Sequence, residues 1–322
     1  VGLAALSTHR GADTMIVLDQ QAIAARIDFD VVAAAVEDAY RASSAGDMVL
    51  PPVGYIEFAE HAGDCHVKYG YQRATEIFVV KVAAGFPGND PAVAPANNGA
   101  SLVLSAVTGE VLALLHDKML MTDIRTGIGG AIASRTLARA DAKNLLVVGT
   151  GVQAHQQIRA HRALLPRVSD IRVWGRSPEK ASAVAAGEEG VQAAADLADA
   201  CAWADLIVTV TATREPIIAD GWITGGTHIT AVGADAPGKH ELDPQLLRRA
   251  DRLVADKLDQ CLDHGELSAL SAEEAADAVE LGSVLAADAT ARTTDAEITI
   301  ADLTGIAAQD IAIARAVLDH HG

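Results

Sequence analysis

The spacing of apolar residues changes twice along this chain. Residues 16–18 form a short apolar run that predicts a strand, with Asp19 placed to cap the helix after it. Over residues 30–44, Val31, Val32, Ala35, Val36 and Tyr40 recur at helical spacing, and Gly46 stands where a helix would stop. From residue 53 the texture becomes extended: runs at 53–58, 66–71, 77–83 and 100–105, broken by Gly63-Asp64, by 85–89 and by Asn97-Asn98-Gly99. Thr108-Gly109-Glu110 then predicts a tight turn into a run at 111–115, giving an antiparallel block with polar loop tips. Residues 119–138 return to helical texture. Beyond them strands and helices alternate at 144–148, 153–165, 170–174, 178–186, 206–210, 227–232, 242–250 and 252–256. A strand at 298–302 and an amphipathic helix at 306–318 close the chain. Such alternation predicts a parallel, doubly wound sheet, and a composition shift near 125–130 marks its boundary.

One apolar strand runs directly into chemistry. Leu145-Leu146-Val147-Val148-Gly149-Thr150-Gly151-Val152-Gln153-Ala154 reads strand, then G-x-G-x-x-A, then helix. Gly149 suits the tight turn, Gly151 lets the backbone approach a pyrophosphate, and Ala154 keeps helix and strand close. About 20 residues on, an acidic residue would accept from an NAD ribose. Here the second strand ends Val173-Trp174-Gly175-Arg176-Ser177, where Arg176 would attract a 2′-phosphate with Ser177 as a second donor. The pattern favours NADP(H) over NAD(H), although Arg176 as a solvated loop residue is the plain alternative. Thr209-Val210-Thr211, ending another strand, would line the adenosine side, since ligands gather at strand C-terminal ends.

Composition narrows the function classes. Half of the 322 residues are hydrophobic and only 3% aromatic, so any core is built of small aliphatic side chains. The net charge of −18 argues against nucleic acid as partner. Cys65, Cys201 and Cys261 form no pairing motif, which fits a reducing, cytoplasmic location, and no ligand cluster suggests a catalytic metal. No apolar stretch is long enough to predict a membrane-spanning helix. Residues 1–14 read as an extension preceding the fold.

Taken in order, Phe78-Val79-Val80-Lys81-Val82, Asn89, Arg125-Thr126, the Gly149–Ala154 turn, Ala231-Val232-Gly233-Ala234-Asp235, Asp302-Leu303-Thr304-Gly305 and Gln309-Asp310 resemble the ornithine cyclodeaminase and mu-crystallin family. The resemblance covers nearly everything from Met15 onward. It implies an α/β chain with a Rossmann-type doubly wound parallel sheet domain (127–304) inserted into a smaller α+β domain (15–126 plus 305–322). That smaller domain would bind substrate and form a homodimer. It further implies hydride transfer between Cα of a small amino or imino acid and a nicotinamide cofactor, with Thr126, Thr150, Val152, Gln153 and Val232 joining the cofactor set.

By the same resemblance, Lys81 lies beside the reacting carbon, Arg125 clamps the substrate carboxylate and Asp235 handles the amine; Glu57 could receive a distal ammonium. The presence of Asp235 tilts the expectation towards a cyclodeaminase of ornithine-to-proline type. An NADP(H)-dependent ketimine reductase, an amino-acid dehydrogenase and a non-enzymatic NADP(H)-binding protein remain alternatives. One departure stands out: the early strand, Leu50-Pro51-Pro52-Val53-Gly54-Tyr55, lacks the arginine that many members use as a second carboxylate contact. His66 and Lys68, two residues apart on one strand face, are the expected substitutes.

Overall fold

The computed structural model describes residues 15–90 and 92–320, so the expectation for residues 1–14 falls outside it. The chain divides into two compact units: residues up to Arg125 together with those from Ile306 onward, and Thr126–Gly305.

In the first unit, seven strands form one sheet: β1 (Ile16–Asp19), β2 (Met48–Val49), β3 (Gly54–Phe58), β4 (Gly63–Gln72), β5 (Ile77–Gly85), β6 (Asn97–Ser105) and β7 (Val111–His116). Their order is β1-β7-β6-β5-β4-β2, with β3 paired to β4; β1 runs parallel to β7 and the other pairs are antiparallel. Asp19 caps α1 (Gln20–Ala24) by accepting from the Ala22 amide. Asp28 caps α2 (Phe29–Ser44) through the Asp30 and Val31 amides, so this helix begins slightly before its apolar periodicity suggests. The final helix, α10 (Ala307–Asp319), packs on α2, β4 and β5. One sheet face buries Ile77, Val79, Val103, Ala113 and Leu115. The opposite face leaves Tyr69, Val82 and Leu102 exposed. Asn97-Asn98-Gly99, expected as a loop, lies within β6. Gly99 is there because a Cβ would sit 2.6 Å from the Val82 carbonyl oxygen of the neighbouring strand.

The second unit holds eight parallel strands: β8 (Asn144–Val148), β9 (Asp170–Trp174), β10 (Val191–Ala193), β11 (Leu206–Thr209), β12 (His228–Ala231), β13 (Arg252–Ala255), β14 (Val279–Glu280) and β15 (Thr299–Asp302). Their order is β10-β9-β8-β11-β12-β15-β13-β14. Both faces are covered, so Leu145–Val148 and Leu206–Thr209 are buried end to end, which is why they read as continuous apolar runs. From β8 the chain winds outward through α4 (Val152–Leu164) to β9 and through α5 (Pro178–Gly187) to β10. It then returns to place β11 on the other side of β8. That reversal makes the C-terminal ends of β8 and β11 the switch point where ligands gather in such sheets.

Candidate functional site

Backbone geometry opens a cavity at that switch point. Gly149 has φ +135, and a Cβ there would meet Val210 at 2.7 Å, so this turn needs glycine. A Cβ on Gly175 would lie 2.5 Å from Thr150 Cγ2. Gly151 caps α4 with no side-chain hydrogen bond, leaving first-turn amides for an anion. The cavity, about 570 Å3, is lined by Gly149–Gly151, Trp174–Ser177, Lys180, Val210–Thr213 and Ile217. A dinucleotide fits this chemistry: amides for the pyrophosphate, an indole wall, and two cations, Arg176 and Lys180, at the rim.

The predicted cofactor residues fall into two groups. Gly149, Thr150, Gly151, Arg176, Ser177 and Thr211 line the cavity. Val152 and Gln153 begin α4 outside the lining, and Ala154 is fully buried, as its expected spacer role requires. Val232 is buried after β12, and Thr126 uses its carbonyl to accept from Gln157 Nε2. Ser177 lines the cavity while its hydroxyl donates to Glu179 and accepts from the Lys180 amide, capping α5. The expectation for Thr209 needs correcting. Thr209 is fully buried, and its hydroxyl donates to Glu241 rather than facing the cavity.

Glu241 was not anticipated from the sequence. It is fully buried, and each carboxylate oxygen takes one amide and one hydroxyl. Oε1 accepts from Thr211 N (2.6 Å) and Thr211 Oγ1 (2.7 Å). Oε2 accepts from Thr209 Oγ1 (2.6 Å) and Gly233 N (2.8 Å). It thereby ties the end of β11, a wall of the cavity, to the segment Gly233-Ala234-Asp235. Burial raises its carboxyl to about 7, against the pull of those donors. Asp235 itself is exposed and paired with Lys239 at 2.6 Å.

A second cluster lies in the first unit. Register places Lys68 on β4 directly opposite Lys81 on β5, and Glu57 on β3 opposite Asp64 on β4. Like charges facing each other across strands cost stability. Lys81 and Arg125 are both buried, on β5 and on α3 (Leu120–Leu137). They converge on Asp310 in the first turn of α10: Lys81 Nζ donates to Oδ1 at 3.0 Å and Arg125 Nε to the same oxygen at 3.1 Å. Arg125 Nη1 also donates to Gln309 Oε1 at 2.9 Å, and Gln309 Nε2 donates to the Tyr40 hydroxyl. Burial, with Arg125 and Lys68 nearby, outweighs Asp310 and lowers the Lys81 ammonium to about 8. Burial pushes the Asp310 carboxyl up, yet Lys81, Arg125 and Lys68 together hold it below the usual carboxylate range.

The seat of Arg125 is strained. Lys118 (φ 50) and Met119 (φ 75) are consecutive left-handed residues just before α3, at roughly 1–3 kcal/mol each. Asp117 anchors them by accepting from the Met121 amide, and burial raises its carboxyl. Glu57 and His66 share the Lys81 face but lie further along it. Lys68 and Asp64 are four residues apart, about 13 Å along the strand. His66 stacks edge-on against Tyr55, with ring centroids 5.0 Å apart. Of the residues expected at the substrate site, Lys81 and Arg125 meet at Asp310 and Lys68 stands opposite Lys81, while Asp117, Lys180 and Glu241 were not anticipated. A signal for Lys180 was present, in the cap pattern Ser177-Pro178-Glu179-Lys180.

Comparison with known proteins places the chain among nicotinamide-dependent relatives. A putative dehydrogenase of Rhizobium meliloti is 40% identical over 292 residues, 87% of this chain and 88% of that protein. The structure of an archaeal alanine dehydrogenase dimer with bound NAD matches with a TM-score of 0.87 at 30% identity, covering 95% of each chain. That of a lysine cyclodeaminase recognising L-lysine, L-ornithine and L-2,4-diaminobutyric acid gives 0.86 at 29%, covering 96% of this chain and 92% of that one. Relatives also carry the names of imino-acid reductases. The profile of the ornithine cyclodeaminase/mu-crystallin family matches residues 13–321, and the chain belongs to that family.

Proposed function

We propose that the protein is an enzyme moving a hydride between Cα of a small α-amino or α-imino acid and a nicotinamide cofactor, with NADP(H) preferred. The observation that carries this reading is the buried pair Lys81 and Arg125, both donating to one oxygen of Asp310, with Lys68 opposite Lys81 across the strands. Two buried cations sharing one carboxylate oxygen suit an anionic ligand, which offsets the cost of crowding like charges. A substrate carboxylate supplies that anion, and the planar fork of Arg125 suits it. When bound, the nicotinamide supplies the hydride chemistry. Asp235 receives the proton of the substrate amine, which lets Cα release its hydrogen with the electron pair. Arg176 and Lys180, both at the cavity rim, support a 2′-phosphate.

Within this class the best-supported form is imino-acid reduction or amino-acid dehydrogenation. Glu57 sits on an exposed strand, where a carboxylate holds a distal ammonium by about 1 kcal/mol at most. Cyclodeamination of a diamino acid is the second reading. It is favoured by the acidic pair Glu57 and Asp64 on the same face as Lys81. The apolar outer face of the first sheet, with Tyr69, Val82 and Leu102 exposed, supports a homodimer, the state named for the archaeal relative.

A spectrophotometric screen of small amino acids and cyclic imines with each cofactor, joined to product analysis, tests the reading. Steady cofactor turnover with an imine or monoamino acid is expected. Proline and ammonia from ornithine without net cofactor change would decide for the second form. No turnover and no product with any member would overturn the proposal.

A further inference from the structure

Asp310 has an unexplained half. Its Oδ1 accepts from both Lys81 and Arg125, whereas Oδ2 is buried and has no partner among the described residues. The residue is only 3% exposed. Leaving a carboxylate oxygen in such a place without a donor is costly, so a donor belongs there when the protein works. Arg125 is similarly divided. Nε goes to Asp310 and Nη1 to Gln309, and Nη2 is the guanidinium nitrogen without a partner among the described residues. One open acceptor and one open cationic donor therefore lie on two side chains already bonded to each other. An α-amino acid carries the complementary pair, an N–H and a carboxylate on one carbon.

We propose that Asp310 is part of the substrate site: Oδ1 positions Lys81 and Arg125, and Oδ2 accepts an N–H from the α-amino or α-imino nitrogen of the substrate. The proposal rests on the functional reading above, and adds to it a residue on the last helix with a stated atom. Position in the first turn of α10 favours the negative charge. With Lys81, Arg125 and Lys68 keeping it ionised, Asp310 accepts a hydrogen bond and does not carry the proton away; that task stays with Asp235. Oδ1 has a separate consequence for Lys81. That ammonium faces two other cations, Arg125 and Lys68, and two carboxyls, Asp310 and Asp117, of which Asp310 is the one in hydrogen-bond contact.

Asp310→Asn preserves shape and separates the two roles. For an amino acid that the enzyme turns over, such as alanine, KM should rise about 10- to 100-fold. The Ki of its des-amino analogue, propionate in that case, should change several-fold less, because the analogue offers no N–H. Equal weakening of both would overturn the Oδ2 contact. The Oδ1 role is read without activity, by trace labelling of Lys81 with acetic anhydride across pH followed by peptide mass spectrometry. The labelling midpoint, near pH 8 in the parent, should move lower in Asp310→Asn; an unmoved midpoint would overturn that role. If the midpoint moves but no small amino or imino acid is bound or turned over, the functional reading has failed and the Lys81 coupling stands. Should Asp310→Asn not fold, the KM and Ki comparison is made between Lys81→Met and Lys81→Met/Asp310→Asn, which removes one cation together with the anion.

Discussion

Glu241→Gln should change stability with a sign that depends on pH. In Glu241 each oxygen serves one amide and one hydroxyl. Gln presents an NH2 on one side, where a threonine hydroxyl can turn round and accept but the amide of Thr211 or Gly233 cannot. One buried N–H is then orphaned, at about 1–3 kcal/mol. Against this stands the charge. The carboxyl has an ordinary value of 4.5 and is raised by burial to about 7. Between those values the folded state binds more protons than the unfolded state. The stability this confers is complete below about 4.5 and is lost as pH rises through about 7. At 1.36 kcal/mol per unit, the loss is up to about 3 kcal/mol, and a glutamine does not share it. At pH 5 the variant should therefore melt below the parent. At pH 8 the gap should close or reverse. Paired thermal melts at the two pH values measure this. A gap of the same size at both would refute the buried-charge argument.

Other substitutions have sharper expected outcomes. Gly149→Ala should lower Tm as well as cofactor affinity, because its Cβ meets Val210 at 2.7 Å on a backbone with φ +135. Gly151→Ala, whose Cβ meets nothing within 4 Å, should leave Tm unchanged and weaken only cofactor binding in a fluorescence titration. Arg125→Met should raise amino-acid KM at least about 10-fold without altering cofactor Kd, and Arg125→Lys should not rescue it, since a lysine has no fork. Arg176→Ala and Lys180→Ala should each reduce NADP(H) affinity several-fold and leave NAD(H) affinity intact; equal losses for both cofactors would remove these residues from 2′-phosphate recognition.

What the sequence revealed depended on distance along the chain. The Gly149 turn was legible because strand, turn and helix are contiguous and each glycine has a steric reason. Lys81 and Asp310, 229 residues apart, carry no spacing signal, and only the family resemblance brought them into one list. Lys68 became meaningful through strand register, which apolar alternation constrains but does not number. Thr209 was misassigned because a hydroxyl near a ligand site is often committed to the protein itself, and this one lies on a strand buried on both faces. Glu241 sits beside Lys239 and His240 in what reads as a polar loop, so nothing local marked it as buried. Short elements such as β10 and β14 span too few residues for periodicity to register.

In the proposed reaction hydride passes between Cα and the cofactor. Reduced cofactor deuterated at the transferable C4 position, supplied with the imine that the screen selects or with the imine of the amino acid it selects, tests this directly by mass spectrometry of the amino-acid product. Deuterium bonded at Cα is the predicted result. Product in which Cα carries only hydrogen from solvent, with the label still on the cofactor, would contradict the account.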